Sequence, residues 1–314
     1  MAYRFEQGEG VQASFRRIAD EQLGKIVGRL KRHHDGETTI HDARKSLKRL
    51  KALLKLVRQG ISKKDYRREY ETVRDAGRLL SGARDFEVMP VTLSSLAAVS
   101  KGLDRAAVRD IDAALKRAKL DFEQGWDRNR VVDEAVAELS ASRKRFRRVA
   151  VEDDFGIVAK GAGKCLATLR SQGEHALASG HDEDFHEWRK SAQLHWRHLK
   201  LLTGVWPELM TARLTMTRAL ADVLGYDHDL AVLRHFIDQI PDGGLSAPGR
   251  RSLEDGIRAR QHELRREARA YAGLLIIDKP SGFSERLCAY RAAWEKIAAL
   301  DAPYAQIQPG DEGK

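Results

Sequence analysis

An all-α fold is predicted for this 314-residue chain, and three observations carry the prediction. The seven prolines are Pro90, Pro207, Pro241, Pro248, Pro280, Pro303 and Pro309, so the first 89 residues and the stretch from Val91 to Trp206 contain none. Helical bundles tolerate such proline-free runs easily, whereas the turns of β-rich folds seldom do. Apolar residues recur at three- and four-residue steps, as in Leu47, Leu50, Leu54 and Val57, or Leu199, Leu202 and Trp206. The one β-like run, Leu274 to Ile277, is too short to change the class.

In chain order, the periodicity predicts helices over Val11–Arg32, Thr39–Gln59, Asp65–Leu80 and Arg84–Val99. Further helices are expected over Asp104–Asp127, Val132–Ala150, Asp154–Ala178 and Asp182–Val205. The last set is Pro207–Leu224, Asp227–Gln239, Arg250–Ala272 and Phe283–Leu300. Thr38 or Thr39, with Asp42 following, is read as a capping box for the second helix. Pro207 suits a first helical position, where its missing N–H has no partner to lose. The segment 301–314 carries two prolines and little apolar content, and is expected to be disordered.

Composition narrows the function classes. The chain holds 56 Lys plus Arg against 46 Asp plus Glu, a formal charge of +10, which points to an acidic partner. Its two cysteines, Cys165 and Cys288, have no ligand spacing, so neither a disulfide framework nor a thiolate metal site is expected. No apolar run approaches membrane-spanning length, and the N-terminus lacks the apolar core of a secretory signal. A cytoplasmic protein without membrane insertion is therefore expected.

The chain repeats itself. His41-Asp42-Ala43-Arg44-Lys45-Ser46 returns as His186-Glu187-Trp188-Arg189-Lys190-Ser191. Downstream, the segment from Leu79 to Val88 returns as Val223 to Val232, with Ala-Arg-Asp-Phe-Glu-Val matched by Asp-His-Asp-Leu-Ala-Val. Two motifs in the same order at nearly the same spacing predict two homologous antiparallel four-helix-type bundles, about 5–150 and 151–300, related by pseudo-two-fold symmetry. A basic cavity or groove would lie between or along them.

Both repeats open an amphipathic helix whose polar face is cationic. With His41 at zero on a helical wheel, Arg44, Lys45, Lys48, Lys51 and Lys55 fall within about 120° of arc. Leu47, Leu50, Leu53, Leu54 and Val57 lie opposite. Between His41 and Arg58 stand seven Lys or Arg and a single acid, Asp42. With His186 at zero, Arg189, Lys190, Gln193, Arg197 and Lys200 share about 100°, while His195 and His198 project away as packing or surface residues. A solvated helix face normally mixes both signs, because opposite charges at i,i+4 stabilise and like charges repel. Two helices that break this rule mark a function.

A long row of Arg and Lys on a rigid helix suits a linear polyanion: Arg grips phosphate bidentately and Lys supplies point charge. A histidine beside them is favoured in its cationic form when phosphate binds. Single-strand nucleic-acid readers interleave aromatics for base stacking, yet neither stripe holds one, Trp196 only bordering the second. Phosphates without bases fit better.

These residues resemble the CHAD domain, a histidine-containing all-helical family. The resemblance rests on His-x-x-Arg-Lys followed by cations at helical spacing, twice, and on the Arg-Asp and His-Asp helix starts. It spans roughly Phe5 to Leu300 and implies non-catalytic binding of inorganic polyphosphate, with no cofactor or metal, at polyphosphate granules and beside granule-associated proteins. It carries over His41, Arg44, Lys45, Lys48 and Lys51 in the first half and His186, Arg189, Lys190 and Arg197 in the second. From the preceding helices it adds Arg16, Arg17, Lys160 and Lys164. Gln193 stands where a cation is expected and His228 where the first half has Arg84, so weaker phosphate binding is expected in the second half. No triphosphate-tunnel domain accompanies the repeats, so a standalone domain is expected.

Other readings remain. An RNA or DNA backbone binder could use the same stripes. The His-Asp doublets at 41–42, 181–182 and 228–229 suggest an HD-type metal phosphohydrolase, but cations crowding the histidine disfavour a divalent ion. A histidine phosphotransfer bundle would be shorter and lack the stripe. The basic cluster Arg143-Lys144-Arg145-Phe146-Arg147-Arg148 is either a solvated helix end or a guiding rim.

Overall fold

The computed structural model describes residues 3–32, 37–81, 84–241 and 243–299, and the regular structure among them is helical, with no strand. The elements are α1 (Val11–Arg32), α2 (Glu37–Leu56), α3 (Lys63–Leu79), α4 (Arg84–Val99), α5 (Arg105–Gly125) and α6 (Arg128–Phe146). They continue as α7 (Phe155–Ser179), α8 (Asp182–Leu202), α9 (Pro207–Asp238), α10 (Ala247–Leu275) and α11 (Pro280–Ala299). Local start signals operate in several places. Asp104, Asp127 and Asp154 each accept a backbone N–H of the following turn, and Pro207 opens α9. The segment expected to be disordered, 301–314, lies outside the described residues.

Two expectations are corrected. The second helix begins at Glu37, so Thr39 lies inside its first turn and the Thr39/Asp42 pair is not a cap. The break expected after Leu224 is absent: α9 runs unbroken for 32 residues. Its buried stripe, Leu220, Leu224, Asp227, Leu230, Leu233 and Ile237, keeps a three- or four-residue step straight past Gly225. Continuous burial outweighs the small propensity penalty of one glycine.

α1, α2, α3 and α6 pack together, and α7 and α8 pack with α9 and α11. The two groups share one core, from Phe15, Leu23 and Leu54 through Leu166 and Trp188 to Leu287. A second core joins the α4–α5 pair to α9 and α10, through Met89, Leu93, Leu96, Ile111, Leu230 and Leu253. The first half thus lends two helices to the second, and α9 is long because it serves both cores.

Two contacts fix α2 against the second half. α7 crosses the end of α2 at Gly161, where a Cβ would lie 2.0 Å from the Leu56 carbonyl oxygen. His198, buried on α8, hydrogen-bonds the Ala52 carbonyl at 3.0 Å. A one-pair bridge, Ile61 with Val151, ties the turn after α2 to the connection between halves.

The basic cluster ending α6 is largely spent inside the protein. Arg143 and Arg147 both bind Asp20 of α1, at 2.7 and 2.9 Å. Arg145 binds Glu69, a fully buried carboxylate that also accepts from Ser142 at 2.7 Å. This cluster is an inter-helix tie. No helix among the described residues is long and apolar enough to cross a membrane.

Candidate functional site

Burial of Leu47, Leu50, Leu53, Leu54 and Val57 orients α2, and burial of Trp188, Ala192, Leu199 and Leu202 orients α8. Their polar faces meet with α9 alongside, leaving a cationic groove of two lobes. The larger, of about 420 Å³, is lined by His41, Lys45, Lys48 and Arg49 of α2 and by Gln193, Trp196, Arg197 and Lys200 of α8. Tyr3, with Arg218, Ala221 and Asp222 of α9, completes it. The smaller, of about 160 Å³, is lined by Arg44, Lys48, Val88, Met89, Arg189, His228, Asp229 and Val232. Lys48 borders both lobes. Three helices, α2, α8 and α9, therefore bring cations to one channel, in which Asp222 and Asp229 are outnumbered.

The groove is electrostatically strained. Arg197 is pushed down to about 10, chiefly by burial and further by Arg189 and Arg49, with the Tyr3 phenol opposing. Lys200 is lowered by burial and then by Arg49, Arg218 and Arg197. Lys51 is lowered by burial and then by Lys55, Arg197, Arg44 and Arg78. Each is a cation held among its like. Three of them share an aromatic support: Arg197, Lys200 and Arg218 stand 5.5, 5.2 and 5.7 Å from the Trp196 ring centroid. Tyr3 similarly backs Arg49, which stands 5.6 Å from its ring, and donates its hydroxyl to the Arg49 carbonyl at 2.8 Å.

At the far end, His186 faces His228 with Nδ1 to Nδ1 at 2.9 Å. Such a contact needs one ring nitrogen to donate and the other to accept, so the pair cannot be doubly protonated without parting. Burial, then Lys190 and Arg189, lowers the His186 pKa.

The CHAD domain family model matches residues 17–238. The chain belongs to the CHAD-domain family. Among solved structures it is similar to PptA from Streptomyces chartreusis, at 15% identity and TM-score 0.61, covering 85% of this chain and 99% of that one. It is also similar to the CHAD domain from the plant Ricinus communis, at 15% identity and TM-score 0.56, covering 87% and 95%. At that identity the likeness concerns the fold. No curated protein matches the sequence. The family match runs from α1 to the end of α9, so α10 and α11 lie beyond it while packing against its helices.

Of the expected binding residues of this CHAD domain, His41, Arg44, Lys45, Lys48, Arg189 and Arg197 line the groove. His186 reaches it through His228. Lys51 is half-buried next to it, and Lys190 is drawn into an ion pair with Glu187. The four residues of the preceding helices line neither lobe. Arg16 donates to the Val149 carbonyl, and Arg17 is bound by Glu9 at 2.7 Å. Lys160 and Lys164 are exposed on α7, the helix that packs on α11. His195 and His198 are fully buried packing residues. Ser46 and Ser191 are also buried, Ser191 donating to the Trp188 carbonyl.

Sequence reasoning missed Tyr3, Arg49, Trp196, Lys200, Arg218 and His228 as lining residues. Lys200 already stood inside the second basic arc and His228 at the register of Arg84, though neither was named a binding residue, and Arg49 lay just outside the first arc. Arg218 and Tyr3 carried no local signal, because only the packing of α9 and of the N-terminal segment brings them in. Neither basic arc was expected to hold an aromatic, but Trp196, at the border of the second, and Tyr3 both form part of the groove wall.

Proposed function

We propose that this CHAD domain binds inorganic polyphosphate without catalysis and serves as a polyphosphate-granule protein. The observation that carries this reading is the convergence of cations from α2, α8 and α9 on one channel around Lys48, where burial and mutual repulsion already depress Lys51, Arg197 and Lys200. A linear polyanion relieves that repulsion along its whole length. A metal-dependent phosphohydrolase suits the site poorly. Of the doublet carboxylates, Asp182 is held by Arg234 and Arg265, and Asp42 by Arg29.

The second reading is a nucleic-acid backbone binder, which the aromatic wall at Trp196 favours. Competition separates the two. Long-chain polyphosphate should displace a labelled polyphosphate probe at phosphate concentrations where tRNA and duplex DNA do not. Affinity should fall steeply with salt through counterion release. Nucleic acid winning at equal phosphate would refute the first reading, and phosphate release from polyphosphate, with or without Mn²⁺, would refute the absence of catalysis.

A further inference from the structure

We propose that the larger lobe of the groove takes the base of a nucleoside polyphosphate whose phosphates run past Lys48 toward Arg44 and Arg189. The assignment rests on the groove being a phosphate-chain site, and it narrows the ligand class for one end of it.

The two lobes differ in chemistry. The small lobe, about 160 Å³, is a narrow slot in which Arg44, Lys48 and Arg189 outnumber one carboxylate, Asp229. At about 420 Å³ the large lobe is of small-molecule size, for which roughly 300–1,000 Å³ is usual. It also contains groups a bare phosphate chain has no use for. Trp196 presents an indole beside the cations, and Gln193 supplies an amide. Asp222 places a carboxylate at the lip, where it repels phosphate. A base answers all three, because it has a π face for the indole and ring N–H groups for the carboxylate and amide. Guanine, whose N1–H and N2 amino group lie side by side, matches a carboxylate best.

Nothing locks the lip shut. Arg218 and Asp222 form a loose i,i+4 pair at 3.3 Å, with side chains 64% and 69% exposed, so it contributes little and can part. Arg218 can then close over the base from α9 with Trp196 beneath. On α8, Arg189 and Trp196 are seven residues apart, two turns on one face and about 10 Å along the axis. That is a length a ribose and a short phosphate chain can span.

The test is displacement of labelled long-chain polyphosphate by GTP and by inorganic tripolyphosphate, in buffer without divalent cations. Tripolyphosphate carries the greater negative charge, so a purely electrostatic groove prefers it. The proposal expects GTP to displace at roughly fivefold to tenfold lower concentration, as base stacking supplies. Asp222→Asn should move the two probes in opposite directions, improving tripolyphosphate by relief of repulsion and weakening GTP. Trp196→Leu should collapse the GTP preference, whereas Lys48→Ala should weaken both probes alike. A Trp196 that merely braces its cations would lower both probes by the same factor, and that result overturns the proposal. So would tripolyphosphate matching or beating GTP, or both Asp222→Asn shifts having one sign. If neither short ligand competes while long-chain polyphosphate binds, the base site fails and the polyphosphate reading stands. If long-chain polyphosphate itself does not bind, both fall together.

Discussion

Aligning His41 with His186 sets α2 and α8 residue by residue, and the two helices divide the work unequally. Leu50 and Leu53, both fully buried, correspond to His195 and His198, also fully buried. Lys48 corresponds to Gln193, Lys51 to Trp196 and Ala52 to Arg197. The first copy keeps an apolar back and a dense cationic front. The second has moved polar groups into the core and an aromatic into the groove. One motif therefore specifies a helix and its facing, while the neighbours of each copy decide what the facing does. α2 is a row of charge; α8 is a wall with a site in it.

The largest expected effect comes from making the second copy like the first at its core. Among the described residues, neither ring nitrogen of His195 has a hydrogen-bond partner. Its pKa is driven well down by burial and then by Arg213 and His198. His198 is pushed down to about 3, mainly by burial, against the opposing Ala52 hydrogen bond. Both rings fold neutral, so the unfolded chain binds protons that the folded chain refuses as pH falls from about 6.5 toward 3. Stability is intact above that window and is lost within it. For His198 the full loss would be on the order of 4–5 kcal/mol at its lower end. His195→Leu and His198→Leu, which install the residues of the first copy, should flatten the decline. Urea unfolding at pH 7.5, 6 and 4.5 measures it. Unaltered pH dependence in the double variant would mean that these rings are not the acid-labile element.

Next in size is the loss of phosphate affinity along the groove. Lys48 borders both lobes, and Lys48→Ala should weaken polyphosphate binding by about 1.5–3 kcal/mol with a shallower salt slope. Gln193→Lys, which restores to α8 the charge that α2 has at this register, should strengthen binding. Lys160→Ala with Lys164→Ala should leave affinity within about twofold, a change worth less than 0.5 kcal/mol. Titration at several salt concentrations reads all three. A large loss from the α7 pair would move the site off the α2–α8 groove.

The fold and the stripes were legible because both rest on periodicity. A helix that must bury Leu47, Leu50 and Leu54 has no choice about where Arg44 and Lys48 point. What was not legible depended on tertiary contact. No pattern near Arg218 says that α9 lies along the groove, and none near Arg17 says that Glu9 will claim it. The break expected in α9 failed for a related reason. The second core recruits the continuous stripe through Leu230 and Ile237, so the two separately expected helices run on as one.

Gly225 offers a direct check on that difference. It lies within α9, and a Cβ placed there meets nothing within 4 Å. Gly225→Ala should therefore stabilise by about 0.5–1 kcal/mol through helix propensity alone. In a chain this long, that is a rise in melting temperature of roughly 1–3 °C. A destabilised variant would show that Gly225 is needed for a turn and that the two halves are broken alike after all.

The smallest effect separates the two motif histidines. Only an imidazolium adds charge to a phosphate site, so His41→Gln should weaken polyphosphate binding more at pH 6 than at pH 8. His186 starts from a different state. Burial, Lys190 and Arg189 hold its pKa down, and its Nδ1 is engaged with His228. Its proton arrives only at more acidic pH, or when a bound phosphate repays the repulsion. His186→Gln should thus leave binding nearly unchanged at pH 8 and show its loss, about twofold to threefold, only below pH 6. Arriving proton and arriving ligand favour one another by linkage, so polyphosphate should raise the His186 pKa, readable as a chemical-shift titration of its ring with and without ligand. Equal losses at pH 8 and pH 6 would mean that the ring acts through its shape and its contact with His228, not through its charge. The second histidine would then brace the groove wall, as Trp196 braces the cations, leaving α2 as the copy in which the motif histidine meets phosphate.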